Sequence, residues 1–259
     1  MIEKFTINIS GLNRERLIRV CLPKRYESSN KNYPVLYMHD GQNLYRDEDS
    51  FFGSSWRIAD CLEESGLELI VVGIDCNSEG TKRFDEYGPW VSEKSINRGL
   101  SIDESIDLGG EGEQYIDFIV EELKPYIDDK YKTIVDDTAI AGSSSGGIIS
   151  TYAMCKYPSI FKRVAALSNA YWLSQKEIED FAKKSDLSDI KKFYFDVGTK
   201  EQTATFGSDV YVNSNVSFKN VIDEKNIDYQ FKIIDGAIHN EGAWRERFPD
   251  ILQYLYINQ

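Results

Sequence analysis

Residues 138–154 constrain the fold more than any other stretch of this sequence. The apolar run Thr138-Ala139-Ile140-Ala141 leads into Gly142-Ser143-Ser144-Ser145-Gly146, and Gly147-Ile148-Ile149-Ser150-Thr151-Tyr152-Ala153-Met154 then reads as the start of a buried helix. A strand that passes into a helix through five small residues must turn sharply, and the turn holds its central side chain out at the carboxyl end of a sheet. Only small residues fit two positions either side of that centre, and glycine also permits unusual backbone angles. Ser144 has glycine at both of those positions. Ser143 would have Ala141 and Ser145 there, and Ser145 would have Ser143 and Gly147. Ser144 is the expected centre. The pentapeptide alone also suits an ordinary glycine-rich turn, so its surroundings have to decide.

Those surroundings alternate between strand and helix. Residues 4–9 alternate in polarity and 16–22 are rich in β-formers, which predicts an antiparallel opening. Further strands are predicted over 34–39, 67–74, 163–167, 192–197 and 229–234, with helices over 55–65, 112–131, 175–184 and 210–225 and a last one from about residue 241. Residues 75–110 carry glycines, a Pro-Trp pair and little apolar period, and read as irregular. This order implies an α/β fold, a mostly parallel central sheet with antiparallel N-terminal strands and helices on both faces. No repeat or linker interrupts residues 1–259, which read as a single domain. Catalytic groups in such folds sit on loops at the carboxyl ends of the strands.

Composition narrows the class of function. A net charge of −13 makes nucleic acid and anionic membrane surfaces poor partners. No run of about 18 apolar residues exists to span a membrane. The start, Met1-Ile2-Glu3-Lys4-Phe5, lacks the blocks of a signal peptide, and Cys21, Cys61, Cys76 and Cys155 have neither metal-site nor disulfide-framework spacing. A reduced, cytoplasmic protein without a metal is the expectation.

A serine hydroxyl needs a base within hydrogen-bond reach to become a nucleophile. The chain has two histidines, His39 before the turn and His239 after the last predicted strand. Where a serine stands on such a turn, the chain order is serine, acid, histidine, which selects His239. The acid should lie between them. Glu201 falls just past the end of the 192–197 strand, where its carboxylate can turn back toward the imidazole. Asp196 lies within that strand, suits a hydrogen-bonded structural role, and stays the second candidate. An oxyanion needs backbone donors. The N–H of Ser145 follows the nucleophile, and Gly41 lets the N–H of Gln42 turn into the site.

These segments together resemble the esterase family of α/β-hydrolases that includes esterase D-type S-formylglutathione hydrolases, feruloyl esterase domains, enterochelin esterases and mycolyltransferases. The resemblance rests on Tyr37-Met38-His39-Asp40-Gly41-Gln42-Asn43-Leu44, Arg83-Phe84-Asp85-Glu86-Tyr87-Gly88-Pro89-Trp90 and Gly109-Gly110-Glu111-Gly112-Glu113-Gln114-Tyr115. The serine turn, Tyr194-Phe195-Asp196-Val197-Gly198-Thr199-Lys200-Glu201 and Gly236-Ala237-Ile238-His239-Asn240-Glu241-Gly242-Ala243-Trp244 complete it. It implies an acid three residues after the glycine, which lands on Glu201. Many members carry aspartate there, and often methionine where this chain has Ser145. It also implies no metal or organic cofactor. The loop with Arg83, Tyr87 and Trp90 would fold over the site. Arg83 and Tyr87 are candidate substrate contacts, with an internal arginine–carboxylate pair as the other reading of Arg83. Tyr171 and Trp172, after the 163–167 strand, are candidate cleft walls, with buried packing as the alternative.

The expectation is a serine carboxylesterase acting on a small-molecule or sugar-linked ester through an acyl-enzyme, with Ser144, Glu201 and His239 as its triad. An acyltransferase or thioesterase would use the same residues, and a non-catalytic binding protein on this scaffold is the reading from another class. Sequence leaves the ester and the oligomeric state open.

Overall fold

A computed structural model describes residues 2–203 and 205–257. Among them eight strands form one sheet: β1 (Ile2–Ile9), β2 (Arg14–Cys21), β3 (Tyr33–His39), β4 (Ile70–Ile74), β5 (Thr133–Ser143), β6 (Phe161–Leu167), β7 (Lys192–Gly198) and β8 (Tyr229–Ile234), in the order β1-β2-β4-β3-β5-β6-β7-β8. β1 with β2, and β2 with β4, run antiparallel, and every later pair is parallel. This is the α/β-hydrolase architecture that the alternating pattern implied. The carboxyl ends of β3, β5, β6, β7 and β8 therefore share one edge of the sheet.

Helices cover both faces: α1 (Ile58–Ser65), α2 (Lys82–Tyr87), α3 (Lys94–Gly99), α4 (Gly112–Phe118), α5 (Lys124–Lys130), α6 (Ser145–Lys156), α7 (Gln175–Lys184), α8 (Ser208–Asp223) and α9 (Glu241–Tyr256). The period-two geometry of β5 divides the core. Ile140 points into a cluster with Ile148, Ile149, Tyr115 and Phe195, while Ala139 and Ala141 point the other way, onto Met38, Trp244, Phe248 and Leu252. Burial on both faces is why the central strands read as continuous apolar runs.

Two elements depart from the sequence expectation. The helix predicted over 112–131 is interrupted by a π-helical turn, Ile119–Leu123. Pro125 has no N–H and cannot extend the i→i−4 ladder at that point. Residues 75–110, expected to be irregular, hold α2 and α3, each six residues long. Helices of under two turns show no periodicity to read, and tertiary ion pairs hold this segment instead. The fully buried Glu86 accepts from Arg16 Nη2 at 2.7 and 2.8 Å and from Arg14 Nη1 at 3.1 Å. Arg14 also pairs with Glu111, at the start of α4.

At the β5–α6 turn the backbone closes on itself. A Cβ on Gly142 would stand 2.5 Å from the Gly146 carbonyl oxygen and 2.9 Å from the His39 ring. The nearest obstacle is backbone that cannot swing aside. Gly142→Ala is accordingly expected to destabilise the fold by about 2 kcal/mol or more. Urea denaturation checks this; an unchanged midpoint would show that the turn can relax.

Candidate active site

Ser144 occupies the junction of β5 and α6 with φ 59° and ψ −124°. Positive φ is uncommon outside glycine and costs on the order of 1–3 kcal/mol, which the surroundings must hold in place. Here the Ser144 N–H donates to the Leu167 carbonyl at 2.9 Å, and its own carbonyl accepts from the Gly147 N–H at 3.0 Å. The side chain stays partly exposed at the sheet edge.

The candidate acid and the candidate base follow the ends of β7 and β8. Glu201, three residues past β7, is completely buried, and its Oε2 accepts from His239 Nδ1 at 2.9 Å. Its Oε1 accepts from the Gly198 N–H at 2.6 Å and from the Ser168 hydroxyl at 2.5 Å. The direction of that last bond follows from what else Ser168 meets. Trp244 Nε1 and Arg247 Nη2 donate to its oxygen at 2.7 and 2.8 Å. Neither can accept, so the hydroxyl proton goes to Glu201. With two donors fixed on its Oε1, Glu201 presents Oε2 to the ring as an acceptor. His239 Nδ1 must then carry the hydrogen, which leaves Nε2 free to take a proton. The ring lies between Tyr211 and Trp244, its centroid 5.2 Å from each. Among the described residues no side-chain hydrogen bond reaches the Ser144 hydroxyl. Glu201 and His239 are joined, and the serine hydroxyl is bonded to neither.

Asp196, the second candidate acid, is fully buried and spoken for. Arg247 grips it with two bonds, Nε to Oδ2 at 2.7 Å and Nη2 to Oδ1 at 3.0 Å; the Tyr194 hydroxyl and the Ser168 N–H donate to it at 2.8 Å each. It holds the residue that orients Glu201.

Gln42 lies in a single 3-10 turn, Gly41–Asn43, entered through Asp40 at φ 56°. Its side chain is tied to Cys76, whose N–H donates to Oε1 at 3.0 Å. Ser145 opens α6. Both N–H groups belong to first turns of helices, where no intrahelical acceptor exists.

The candidate substrate contacts fare differently. Arg83 is committed to an internal pair, with Nε and Nη2 each 2.7 Å from an Asp40 oxygen and Nη1 2.5 Å from Ser145 Oγ. Burial pushes the Asp40 carboxyl up, but the guanidinium outweighs it and holds the carboxyl below its usual range. Tyr87 is wholly buried beneath that guanidinium, its hydroxyl accepting from the Asp40 N–H at 3.0 Å. Tyr171, expected as a cleft wall, is core, stacked on Phe218 at 4.2 Å with its hydroxyl 2.9 Å from that of Thr151. Its short 3-10 turn folds inward. Trp172 stays partly exposed against Phe206 and Tyr211. Sequence reasoning places Ser168 in the cleft wall with Tyr171 and Trp172 and misses the support that Ser168, Trp244 and Arg247 give Glu201.

A hollow of about 620 Å³ lies away from this site. It is lined by Leu22, Leu62 and Leu67 at the amino ends of the parallel strands. Among the described residues no group of three His, Cys, Asp or Glu side chains could hold a metal ion, and no helix is long and apolar enough to cross a membrane.

A family model described as "Putative esterase" matches residues 9–255. The chain belongs to this esterase family. As a member it is a carboxylic ester hydrolase. The esterase is 25% identical over 254 residues to the uncharacterized protein YbbA of Bacillus subtilis (strain 168), covering 93% of this chain and 92% of that one. In fold it is similar to an IroE-like serine hydrolase from Shewanella oneidensis, with TM-score 0.77, 20% identity, and 98% of this chain and 79% of that chain covered. A ferulic acid esterase aligns with TM-score 0.71 and 20% identity over 98% of both chains.

His39 sits against this site without joining it. Its ring packs between Tyr87 and Tyr115, with Nδ1 2.9 Å from the Tyr115 hydroxyl, and burial lowers its pKa from 6.5 to about 3. The unfolded chain therefore binds a proton that the folded esterase refuses. Stability from this residue is complete above pH 6.5 and is lost as the pH falls toward 3, by at most about 1.4 kcal/mol per pH unit. Urea midpoints between pH 7 and 4 should fall less steeply in His39→Gln than in the wild type. Parallel slopes would remove His39 as the cause.

Proposed function

We propose that the esterase cleaves a small-molecule or sugar-linked carboxylic ester through an acyl-enzyme on Ser144, with His239 as general base and Glu201 as its orienting acid. The observation that carries this reading is the 2.9 Å bond between His239 Nδ1 and Oε2 of Glu201, whose Oε1 is held by two other donors. It directs the free Nε2 to the one role the site leaves open. His239 takes the Ser144 proton as Oγ bonds to the ester carbonyl carbon, and the carbonyl oxygen gains the negative charge. The N–H groups of Gln42 and Ser145 receive that oxyanion, each worth about 3–4 kcal/mol of transition-state stabilisation. As the intermediate collapses, the carbon–oxygen bond to the alcohol breaks and the imidazolium protonates the leaving oxygen. Water then repeats the sequence and releases the acid. The buried Glu201 stabilises the imidazolium throughout.

Two observations support the substrate class and the compartment. A protein of similar fold is named as a ferulic acid esterase, whose named acid is aromatic, and Phe51 and Phe52 are exposed on the loop that hangs from Asn43, next to Gln42. All four cysteines are buried and unpaired, which suits a reducing cytoplasm.

Ser144→Ala should abolish hydrolysis of aryl esters and labelling by a fluorophosphonate while leaving the circular dichroism unchanged; full activity would sink the assignment. Glu201→Gln should lower kcat roughly 10³- to 10⁴-fold, whereas Asp196→Asn should act mainly on the melting temperature. A larger kcat loss in Asp196→Asn would hand the acid's role to Asp196.

A further inference from the structure

A second buried carboxylate lies beside the base. Glu241 is the first residue of α9, two positions after His239, and only 3% of it is exposed. Its Oε1 accepts from Asn43 Nδ2 at 2.9 Å, while its Oε2 is buried with no partner. Burial pushes this carboxyl above its ordinary range. A carboxylate stripped of water and half-satisfied is costly, and nothing in the packing of the core calls for one here. Its one side-chain partner shows what it does.

Asn43 is the residue after Gln42 and is itself buried. Both ends of its amide are used: Nδ2 donates to Glu241, and Oδ1 accepts from the Phe51 N–H at 3.1 Å. The reversed amide would set oxygen against carboxylate and NH₂ against N–H, so only one orientation is tenable. The Asn43–Glu241 bond joins positions 198 residues apart. One belongs to the turn that aims the Gln42 N–H, and the other to the helix start that follows His239. No other side-chain hydrogen bond among the described residues runs directly between these two segments.

Building on the acyl-enzyme reading, we propose that Asn43 and Glu241 are a positioning pair: their hydrogen bond fixes the oxyanion turn relative to the base. Neither touches the reacting atoms. Their bond sets the separation between the Gln42 N–H and His239 Nε2, which must act on the same tetrahedral intermediate. Loosening it leaves ground-state binding nearly intact and misaligns the two groups when charge develops. A misplacement of about 1 Å can cost on the order of 100-fold.

Exchanging donor and acceptor tests the pair. Asn43→Asp keeps an oxygen for the Phe51 N–H but sets a carboxylate against Glu241; kcat for an aryl acetate should fall about 10- to 100-fold with KM within threefold. Adding Glu241→Gln supplies an amide that donates to the new carboxylate, and the double variant should regain at least tenfold in kcat. A kcat within twofold of wild type in Asn43→Asp, or no recovery in the double variant, overturns the proposal. Should Asn43→Asp not fold, Glu241→Ala decides instead: a tenfold or greater kcat loss at unchanged KM supports the pair, and wild-type kcat overturns it. Fluorophosphonate labelling of the wild type keeps the two readings apart. An unlabelled wild type removes the serine-hydrolase reading itself, whereas a labelled one with indifferent variants removes only the positioning pair.

Discussion

The backbone of Ser144 is the constraint on which the site depends. A non-glycine residue at φ 59° holds its place only because the neighbours leave it no other. Gly142 and Gly146 approach too closely for a side chain between them, Leu167 anchors the amide, and α6 begins at once. Because β5 is central and parallel to its neighbours, fixing this one turn also fixes which edge of the sheet the other loops must serve. Glu201 and His239 follow strands that end on that same edge.

Around that edge the esterase uses two kinds of charge burial. Asp40, Glu86 and Asp196 are each gripped by arginine, so breaking one partner away would strand a charge. These pairs hold loops in place: Arg83 joins the turn before Gln42 to Ser145, and Arg247 holds Asp196 and Ser168 together behind the acid. Glu201 and Glu241 are buried without an arginine on either oxygen, and both lie close in sequence or in space to His239. A carboxylate balanced by an arginine contributes little field of its own. One that is not remains able to respond to a positive charge on the imidazole.

Much of the scaffold is legible in the sequence because its signals are local. Apolar runs mark strands buried on both faces, small residues mark the tight turn, and the one histidine after the last strand stands without a competitor. The structure brings Glu201 and His239 together as that order implies. What escapes sequence reasoning is held by distant partners. α2 and α3 are too short to show a period and depend on Arg14 and Arg16 from β2. Tyr87 and Tyr171 have the chemistry of cleft residues, and only the packing around them shows that they are core. Asn43 and Glu241 each lie in a segment that carries the family resemblance, but nothing local pairs them.

The α9 helix supplies Trp244 and Arg247 to Ser168, and Glu241 to Asn43, immediately after the loop that delivers His239. One helix thus braces the support of Glu201 through Ser168 and the turn beside Gln42 through Asn43. A shift in how α9 packs would reach both ends of the site at once, while the serine turn keeps its own anchors at Gly142, Gly146 and Leu167. The last helix is the keystone of the site.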